Sequence, residues 1–466
     1  MTPSTRPEAA PPGLRDVQAV AELFVGVFRR DLSGFYPLCH FEPVDRGPAS
    51  GAPRAGPNFR LVEGDRGDEV ELFGVRYAVG PSDGGRLSGH DRKMIRAIGA
   101  VLGLRYHHMF RVGQSPRLEL FRGGSEDHYI AAFVEPTAYA LPVSRPSRIA
   151  ATIQTLRTAA LSTYENRRVS TGALLLGDDT IHPPRAMPAD ALEYGVELTS
   201  LKSLHRLCDG KRTLFLVDRD GRLVEIIDVE RWAGPACERA EDTPCARSYA
   251  AHARSTCAGG HVCLVLSPNQ EIKLFAGGAQ AFAFAHGRWR IFDPAAKYAV
   301  WRAAVAHDPV ARVLYQAALD LAENRLGGLF VVVDDPPSAV GRLIASHDLL
   351  AEGPADGPPA QLTPGDPLAK RALHYLARGR DVTTLAPSVL EALSGIDGAL
   401  ATDRSGRILA FGAILRHDAS MLPDQITAEG ARTTAALAAS QFGPVLKISE
   451  DGIVSCFLKG ERAWDL

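Results

Sequence analysis

The stretch Ile396-Asp397-Gly398-Ala399-Leu400-Ala401-Thr402-Asp403-Arg404-Ser405-Gly406-Arg407-Ile408-Leu409 holds two short apolar runs around a turn. Asp403, Ser405 and Gly406 are turn residues, so the pattern predicts a β-hairpin. Asp397 does not follow from that pattern. It stands where the first strand begins, after Ile396 and just before Ala399 and Leu400. A carboxylate there needs a reason other than the hairpin.

The flanking sequence extends the hairpin into a domain. Helical spacing is predicted over 305–324, 368–378 and 387–394, and "GGLFVVVDD" (327–335) reads as a strand buried on both faces. Beyond the hairpin, Gly430-Ala431-Arg432-Thr433-Thr434 opens the run "AALAAS", whose composition favours a helix. Ser449-Glu450-Asp451-Gly452 ends one strand and turns into the next, giving a last hairpin to Leu466. Alternating strands and helices predict an α/β (α+β) domain over 306–466, a mixed sheet flanked by helices.

Three features of this domain carry chemistry. Asp397-Gly398-Ala399 opens a strand. Gly430 to Thr434 sits at a helix start, where free N–H groups and the helix dipole attract phosphate. Ser449 and Glu450 place polar groups at a strand end. Two acidic points and one anion site are what a metal–nucleotide complex needs, with carboxylates for Mg²⁺ or Mn²⁺ and N–H groups with arginine for phosphates. Each feature alone is an ordinary turn or helix start; their order within one small domain lifts them.

Upstream, residues 14–37, 92–104 and 148–161 have helical spacing, and strands are predicted near "VELFGVRYAVG" and "RLELFRGG". Residues 1–195 read as an α+β region with a disordered lead of about 13 residues. Residues 196–305 are β-rich: "LFLVDRDGRLVEIIDV", "VCLVLSPNQEIKLFAGG" and "AFAFAHGRWRIFD" each read as a hairpin. Pro48–Pro57 and Gly353–Pro367 read as loops.

Composition excludes several classes. Charged residues make 23% of the chain and net charge is −2, so no global basic field points to nucleic acid. The longest apolar runs fall far short of the roughly 20 residues a membrane span needs, and the proline-rich start lacks a signal-peptide core. Seven cysteines, an odd number, fit reduced thiols and a cytoplasmic protein. Cys237, Cys245, Cys257, Cys263, His252 and His261 crowd together, but their intervals do not match a structural zinc site. "RGGSEDHY" (122–129) reads as a Gly-Gly-Ser turn. "CDGKRT" (208–213) is not a phosphate-binding loop, because His205 stands where the first glycine belongs.

Residues 306–466 resemble the diadenylate cyclase domain, the nucleotide-binding catalytic domain of DNA integrity scanning proteins and of membrane-bound cyclic di-AMP synthases. The likeness is carried by "GGLFVVVDD", "LAPSVLEALSGIDGALATDRSGRILAFGAIL", "GARTTAAL" and "KISEDGIVSCFLKG". It implies condensation of two ATP into cyclic 3′,5′-di-AMP with release of pyrophosphate, by a homo-oligomer in which two domains meet face to face. Asp397 matches the family aspartate that binds metal near the ribose 3′-OH and the α-phosphate. Gly398 and Leu415 match positions lining adenine and ribose, with Ala399 beside them. Ser449 matches a phosphate-binding serine, and Glu450 a glutamate that helps hold metal.

Arg432 matches the first arginine of the family's Gly-Thr-Arg-His-Arg, in a phosphate-binding segment spanning Gly430, Ala431, Arg432, Thr433 and Thr434. The family threonine, histidine and second arginine are here Ala431, Thr433 and Thr434. A charge-assisted contact contributes roughly 1.5–3 kcal/mol, so ATP affinity or turnover should be lower unless Arg416, His417, Lys447 or Lys459 replaces the missing cations. The alternative reading is a degenerate module that binds ATP or a cyclic dinucleotide without turnover. Residues 196–305 resemble sensor domains fused to such cyclases, on "LKSLHRLCDGKRTLFLVDRDG", "LSPNQEIKLFAGG" and "GRWRIFD". The expectation is that no counterpart of the scanning proteins' DNA-binding domain follows and that no membrane helices precede. The expectation is a cytoplasmic signalling enzyme with an N-terminal input region, binding neither DNA nor membrane.

Overall fold

The computed structural model describes residues 14–44, 59–64, 67–82, 85–110, 121–140, 146–177, 191–201, 207–236, 245–350, 370–417 and 430–466. The expected lead, the loops over 48–57 and 353–367, the strand residues before 121, His205 and Cys237 lie outside them. The chain forms two compact units. One holds Met1–Asp228, Gly259–Ala276 and Phe282–Ile291; the other holds Val229–Ala258, Gly277–Ala281 and Phe292–Leu466.

The first unit opens with helix α1 (Leu14–Phe35), which buries Phe28 and Leu32. Strands β1 (Cys39–Pro43), β2 (Arg60–Gly64), β3 (Gly67–Leu72) and β4 (Val75–Pro81) form an antiparallel sheet in the order β1-β4-β3-β2. Helix α2 (Gly89–Phe110) starts three residues before the predicted Arg92. Its cause is a reciprocal cap: Asp91 accepts from the Ser88 backbone at 2.8 Å, and the Asp91 N–H donates to Ser88 Oγ at 3.1 Å.

Helices α3 (Ser125–Val134) and α4 (Arg148–Ala160) follow. After the short pair β5 (Thr163–Tyr164) and β6 (Arg167–Arg168) come β7 (Thr171–Leu175), β8 (Thr213–Val217), β9 (Leu223–Asp228), β10 (Val262–Leu266), β11 (Ile272–Ala276), β12 (Ala279–Ala285) and β13 (Arg288–Ile291). These seven make one sheet, β13-β12-β11-β10-β7-β8-β9, in which β7 and β8 run parallel. The three hairpins expected between 214 and 293 are all present. Two-residue turns at Phe73-Gly74, Gly277-Gly278 and His286-Gly287 have positive φ at both residues, the backbone a tight hairpin turn requires.

In the second unit, α5 (Val229–Ala236), α6 (Ala250–Arg254) and α7 (Pro294–Val305) lead to α8 (Asp308–Glu323). Then come β14 (Gly328–Val333), α9 (Pro336–Ala339), α10 (Pro387–Ser394), β15 (Ala399–Asp403), β16 (Ile408–Ala413), α11 (Ala431–Ala439), β17 (Val445–Ile448), β18 (Val454–Leu458) and β19 (Glu461–Asp465). The sheet order is β16-β15-β14-β17-β18-β19, with β14 and β15 parallel and the other paired strands antiparallel. Phe330, Val332, Leu400 and Leu446 pack with Leu314 and Leu321 of α8 and Leu390 of α10. Leu329, Val331, Ala399 and Val445 pack on the other face with Ala436 and Ala439 of α11 and with Ile344. Both faces are covered, so β14 is buried throughout and reads as an unbroken apolar run. Burial of each such Leu, Val or Phe stabilises by roughly 1.5–3 kcal/mol.

The fold is the mixed α+β class the sequence predicts. Two details differ. The segment expected as an α-helix over 368–378 winds as 3₁₀ turns, Lys370–Leu376, and is stopped by Gly379 at φ +68°. The last hairpin is a three-strand meander, because Lys459-Gly460 forms one more tight turn with φ of +51° and +84°. Lysine is an uncommon residue for that conformation, so the sequence did not announce it. Among the described residues, no helix is long and apolar enough to cross a membrane.

Candidate functional site

Strand register gathers the three sequence features. Gly328 pairs with Ile448 across β14 and β17, and Phe330 pairs with Leu400 across β14 and β15. Two residues earlier in that parallel register, Gly328 stands level with Gly398. Gly327, Asp397 and Ser449 therefore leave the sheet at one end. Ala399 pairs with Ala413, so Ile414 to His417 run off β16 at the same end. Lys459 follows β18, which begins at this end and runs away from it, so Lys459 belongs to the opposite end.

Asp397 precedes β15 with its side chain 99% exposed. Gly398 fixes it there. Its φ is +113°, and a Cβ would stand 2.3 Å from the Gly412 carbonyl carbon, so only glycine lets β15 start this close to β16. The nearest countercharge is Arg432, whose guanidinium lies 3.9 Å from Asp397 Oδ1. That guanidinium rests on Gly327: a Cβ there would fall 2.2 Å from Arg432 Nη1. Sequence reading missed this cradle. Its only signal is a second glycine before β14, where Gly328 alone would start the strand.

Helix α11 begins at Ala431 behind Gly430, which has φ +99° and supplies no side-chain cap. The Thr433 and Thr434 N–H groups donate to the Gly430 carbonyl at 3.1 and 3.2 Å, so the Ala431 and Arg432 N–H groups are the ones without an intrahelical acceptor, and the positive dipole end faces the same sheet end as Asp397. Thr433 is buried and accepts from Lys447 Nζ at 3.0 Å. Thr434 Oγ donates back to the Gly430 carbonyl at 3.3 Å. Of the four cations considered as replacements, Lys447 is the one in contact with this segment. Arg416 and His417 are exposed past β16, with the Arg416 N–H bound to the Leu343 carbonyl at 2.8 Å. Leu415 is buried in the apolar layer shared with α11.

Ser449 closes the β17–β18 turn. Its N–H donates to the Ile453 carbonyl at 2.9 Å, and its Oγ accepts from the Ile453 N–H at 3.4 Å. Glu450 beside it is exposed, and Arg325 holds the next carbonyl, that of Asp451. Among the described residues, no three His, Cys, Asp or Glu side chains form a ready metal cage. Mg²⁺ is commonly held by one or two carboxylates with substrate phosphates completing its shell. Asp397 and Glu450 present exposed carboxylates at this sheet end, one before β15 and one after β17, with β14 between the two strands.

The arrangement is an open, polar sheet end with one glycine-seated arginine, one uncapped helix start and solvent-facing acids. No protein-family model matches the chain, and no curated protein matches it. Among solved structures it is distantly similar to the hypothetical membrane spanning protein from Bacillus cereus, at 19% identity over 32% of this chain and 60% of that one, with a TM-score of 0.22. The chain thus spans about 60% of that protein's length. A second distant neighbour is a cysteine double mutant of DacA from Staphylococcus aureus, at 15% identity over 34% of this chain and 86% of that one, with a TM-score of 0.20.

Proposed function

We propose that this chain is a cytoplasmic diadenylate cyclase that condenses two ATP into cyclic 3′,5′-di-AMP. Residues 306–466 are the nucleotide-binding domain in this reading, and 1–195 and 196–305 form the input region. The observation that supports it is Arg432, seated on Gly327, 3.9 Å from Asp397 and one residue into an uncapped helix. An anion-binding helix start and a carboxylate side by side suit a nucleotide whose phosphates and ribose need opposite partners.

In the proposed reaction the Ala431 and Arg432 N–H groups at the start of α11 and the Arg432 guanidinium hold the ATP phosphates. Lys447, through Thr433, adds positive charge from within the domain. Asp397 and Glu450 would hold the divalent cation, which spreads the negative charge of the phosphates. Two domains face each other, and each ribose 3′-oxygen attacks the partner's α-phosphorus in line. The new bond is 3′-O to Pα, the hydroxyl proton passes to solvent, the bond between Pα and the bridging oxygen breaks, and pyrophosphate leaves. Catalysis here is positioning and charge stabilisation.

One observation favours the degenerate binding module: Thr433 is buried against Lys447, so neither it nor Thr434 supplies the cation its position would carry. A single assay separates the two. Purified protein is incubated with ATP and Mn²⁺ or Mg²⁺, and products are resolved by chromatography. Cyclic di-AMP with pyrophosphate is expected. Tight ATP binding by calorimetry without any product selects the binding module instead.

A further inference from the structure

The first unit holds a cleft of about 620 Å³, walled by the end of α1, the Gly123-Gly124 turn, the start of α3, one side of α4 and the turn after β12. Asp127 lies in its wall and is 1% exposed. Its Oδ1 accepts from Arg157 at 2.7 Å and from the Trp289 indole N–H at 2.7 Å. Among the described residues its Oδ2 meets no donor. Buried carboxylate oxygens are almost always satisfied, and one that is not calls for a donor arriving from elsewhere.

The approach to that oxygen is kept clear by two glycines. A Cβ at Gly124 would stand 3.4 Å from Oδ2, and one at Gly123 3.6 Å. Three acids (Asp31, Glu126, Asp127) line the cleft against two arginines (Arg30, Arg157), an excess of one acid. Arg30 pairs with Asp31 at 2.8 Å and is still 71% exposed. Helix α3 starts at Gly124 without a side-chain cap, so its first-turn N–H groups are open to an acceptor.

We propose that this cleft binds a free α-amino acid, whose ammonium donates to Asp127 Oδ2 and Glu126 and whose carboxylate takes the N-terminal N–H groups of α3 and the Arg30 guanidinium. A simple amine would answer the acids and leave the N–H groups and Arg30 unpaired. A simple anion would face three carboxylates. Only a ligand with both charges on neighbouring carbons matches both halves of the site. Desolvation and the neighbouring Asp127 raise the Glu126 carboxyl, which a bound ammonium would reverse. The site stands independently of the cyclase reading.

Calorimetry of the full chain with the standard L-α-amino acids, with putrescine and agmatine as amines lacking a carboxylate, and with acetate tests it. At least one amino acid should bind in the submillimolar range, and the amines and acetate much more weakly. Gly124 has φ −74°, which any residue adopts, so Gly124→Ala should fold normally while its methyl narrows the approach to Oδ2. Affinity should fall by about tenfold in Gly124→Ala and in the surface variant Glu126→Gln, the loss of about one charge-assisted contact. The proposal is overturned if no amino acid binds, if an amine binds as tightly as the best amino acid, or if Gly124→Ala retains wild-type affinity.

Discussion

Asp397 and Asp403 stand at opposite ends of the same strand and are treated in opposite ways. At the Asp403 end one carboxylate oxygen is taken by its own turn: Oδ1 accepts from the Ser405 N–H at 2.9 Å, the Ser405 hydroxyl at 2.6 Å and the Arg407 N–H at 3.0 Å. The same end carries Ser440 Oγ, which accepts from the Gly460 N–H at 2.8 Å. At the Asp397 end the carboxylate faces solvent beside a distant arginine, and a helix begins uncapped. Turns that must hold a sheet together use their acids locally. The end that does not is available for a ligand, and glycines at 327 and 398 maintain it where side chains would otherwise fill the space.

The largest effect should come from the glycine that sets this difference. Gly398→Val puts a branched side chain at φ +113° and 2.3 Å from the Gly412 backbone. Nothing flexible can yield there, so β15 and β16 must separate. The second unit should lose more than about 3 kcal/mol of stability, read as loss or a large shift of its urea transition. A wild-type midpoint would mean that the close strand contact does not hold Asp397 in place.

Asp397→Asn keeps the shape and removes the charge. Turnover should fall by on the order of 10²-fold or more, while the melting temperature stays put, because an ion pair this long and exposed stabilises little. ATP affinity should change less, since in the proposed reading Arg432 and the helix start are the phosphate contacts. Near-normal turnover in this variant would make Asp397 another turn residue and dissolve the contrast with Asp403.

The hairpin, the helix start and the strand-end serine were each legible in the sequence, because turn residues and helix propensity act over a few positions. Their convergence was expected only from the family resemblance, not from the local pattern. It follows from β14 pairing with β15 on one side and β17 on the other, contacts that join residues far apart in sequence. Gly327 as a seat for Arg432, and Lys447 beside Thr433, are consequences of that pairing. The same reason hid the Asp127 cleft: "RGGSEDHY" is a plain turn by itself, and Trp289 and Arg157 reach it from distant elements.

A third aspartate extends the contrast to the interior. Asp320 on α8 is 6% exposed, accepts from the Arg247 N–H at 2.7 Å and lies 3.2 Å from its guanidinium, which also meets Glu391 at 3.1 Å. Burial outweighs these contacts and raises the carboxyl to about 6. In the unfolded chain it titrates near ~3.9. Between those values the native state binds the extra proton, so this group's contribution to stability grows as pH falls from 6 to 4 and is least above 6. Asp320→Asn imitates the protonated form. It should raise stability at pH 7 by on the order of 1–2 kcal/mol and change little at pH 4. Equal gains at both values would show that Asp320 is not titrating.

The smallest effect is expected at Asp403, and it is the sharpest control. Asn at this position presents the same acceptor oxygen to Ser405 and Arg407, so the turn survives and only charge assistance is lost, about 0.5–1 kcal/mol. Arg404 does not depend on it, since its guanidinium binds Asp334 at 2.9 Å and the Val305 carbonyl at 2.9 Å. Asp403→Asn should therefore lower the melting point slightly and leave turnover unchanged. The identical substitution at the other end of β15 should do the reverse. If both variants lose turnover alike, the hairpin's net charge matters and not the chemistry of one end. If both keep it, neither aspartate meets substrate. Only the crossed result, stability moved at Asp403 and turnover at Asp397, supports the assignment of the open end to nucleotide.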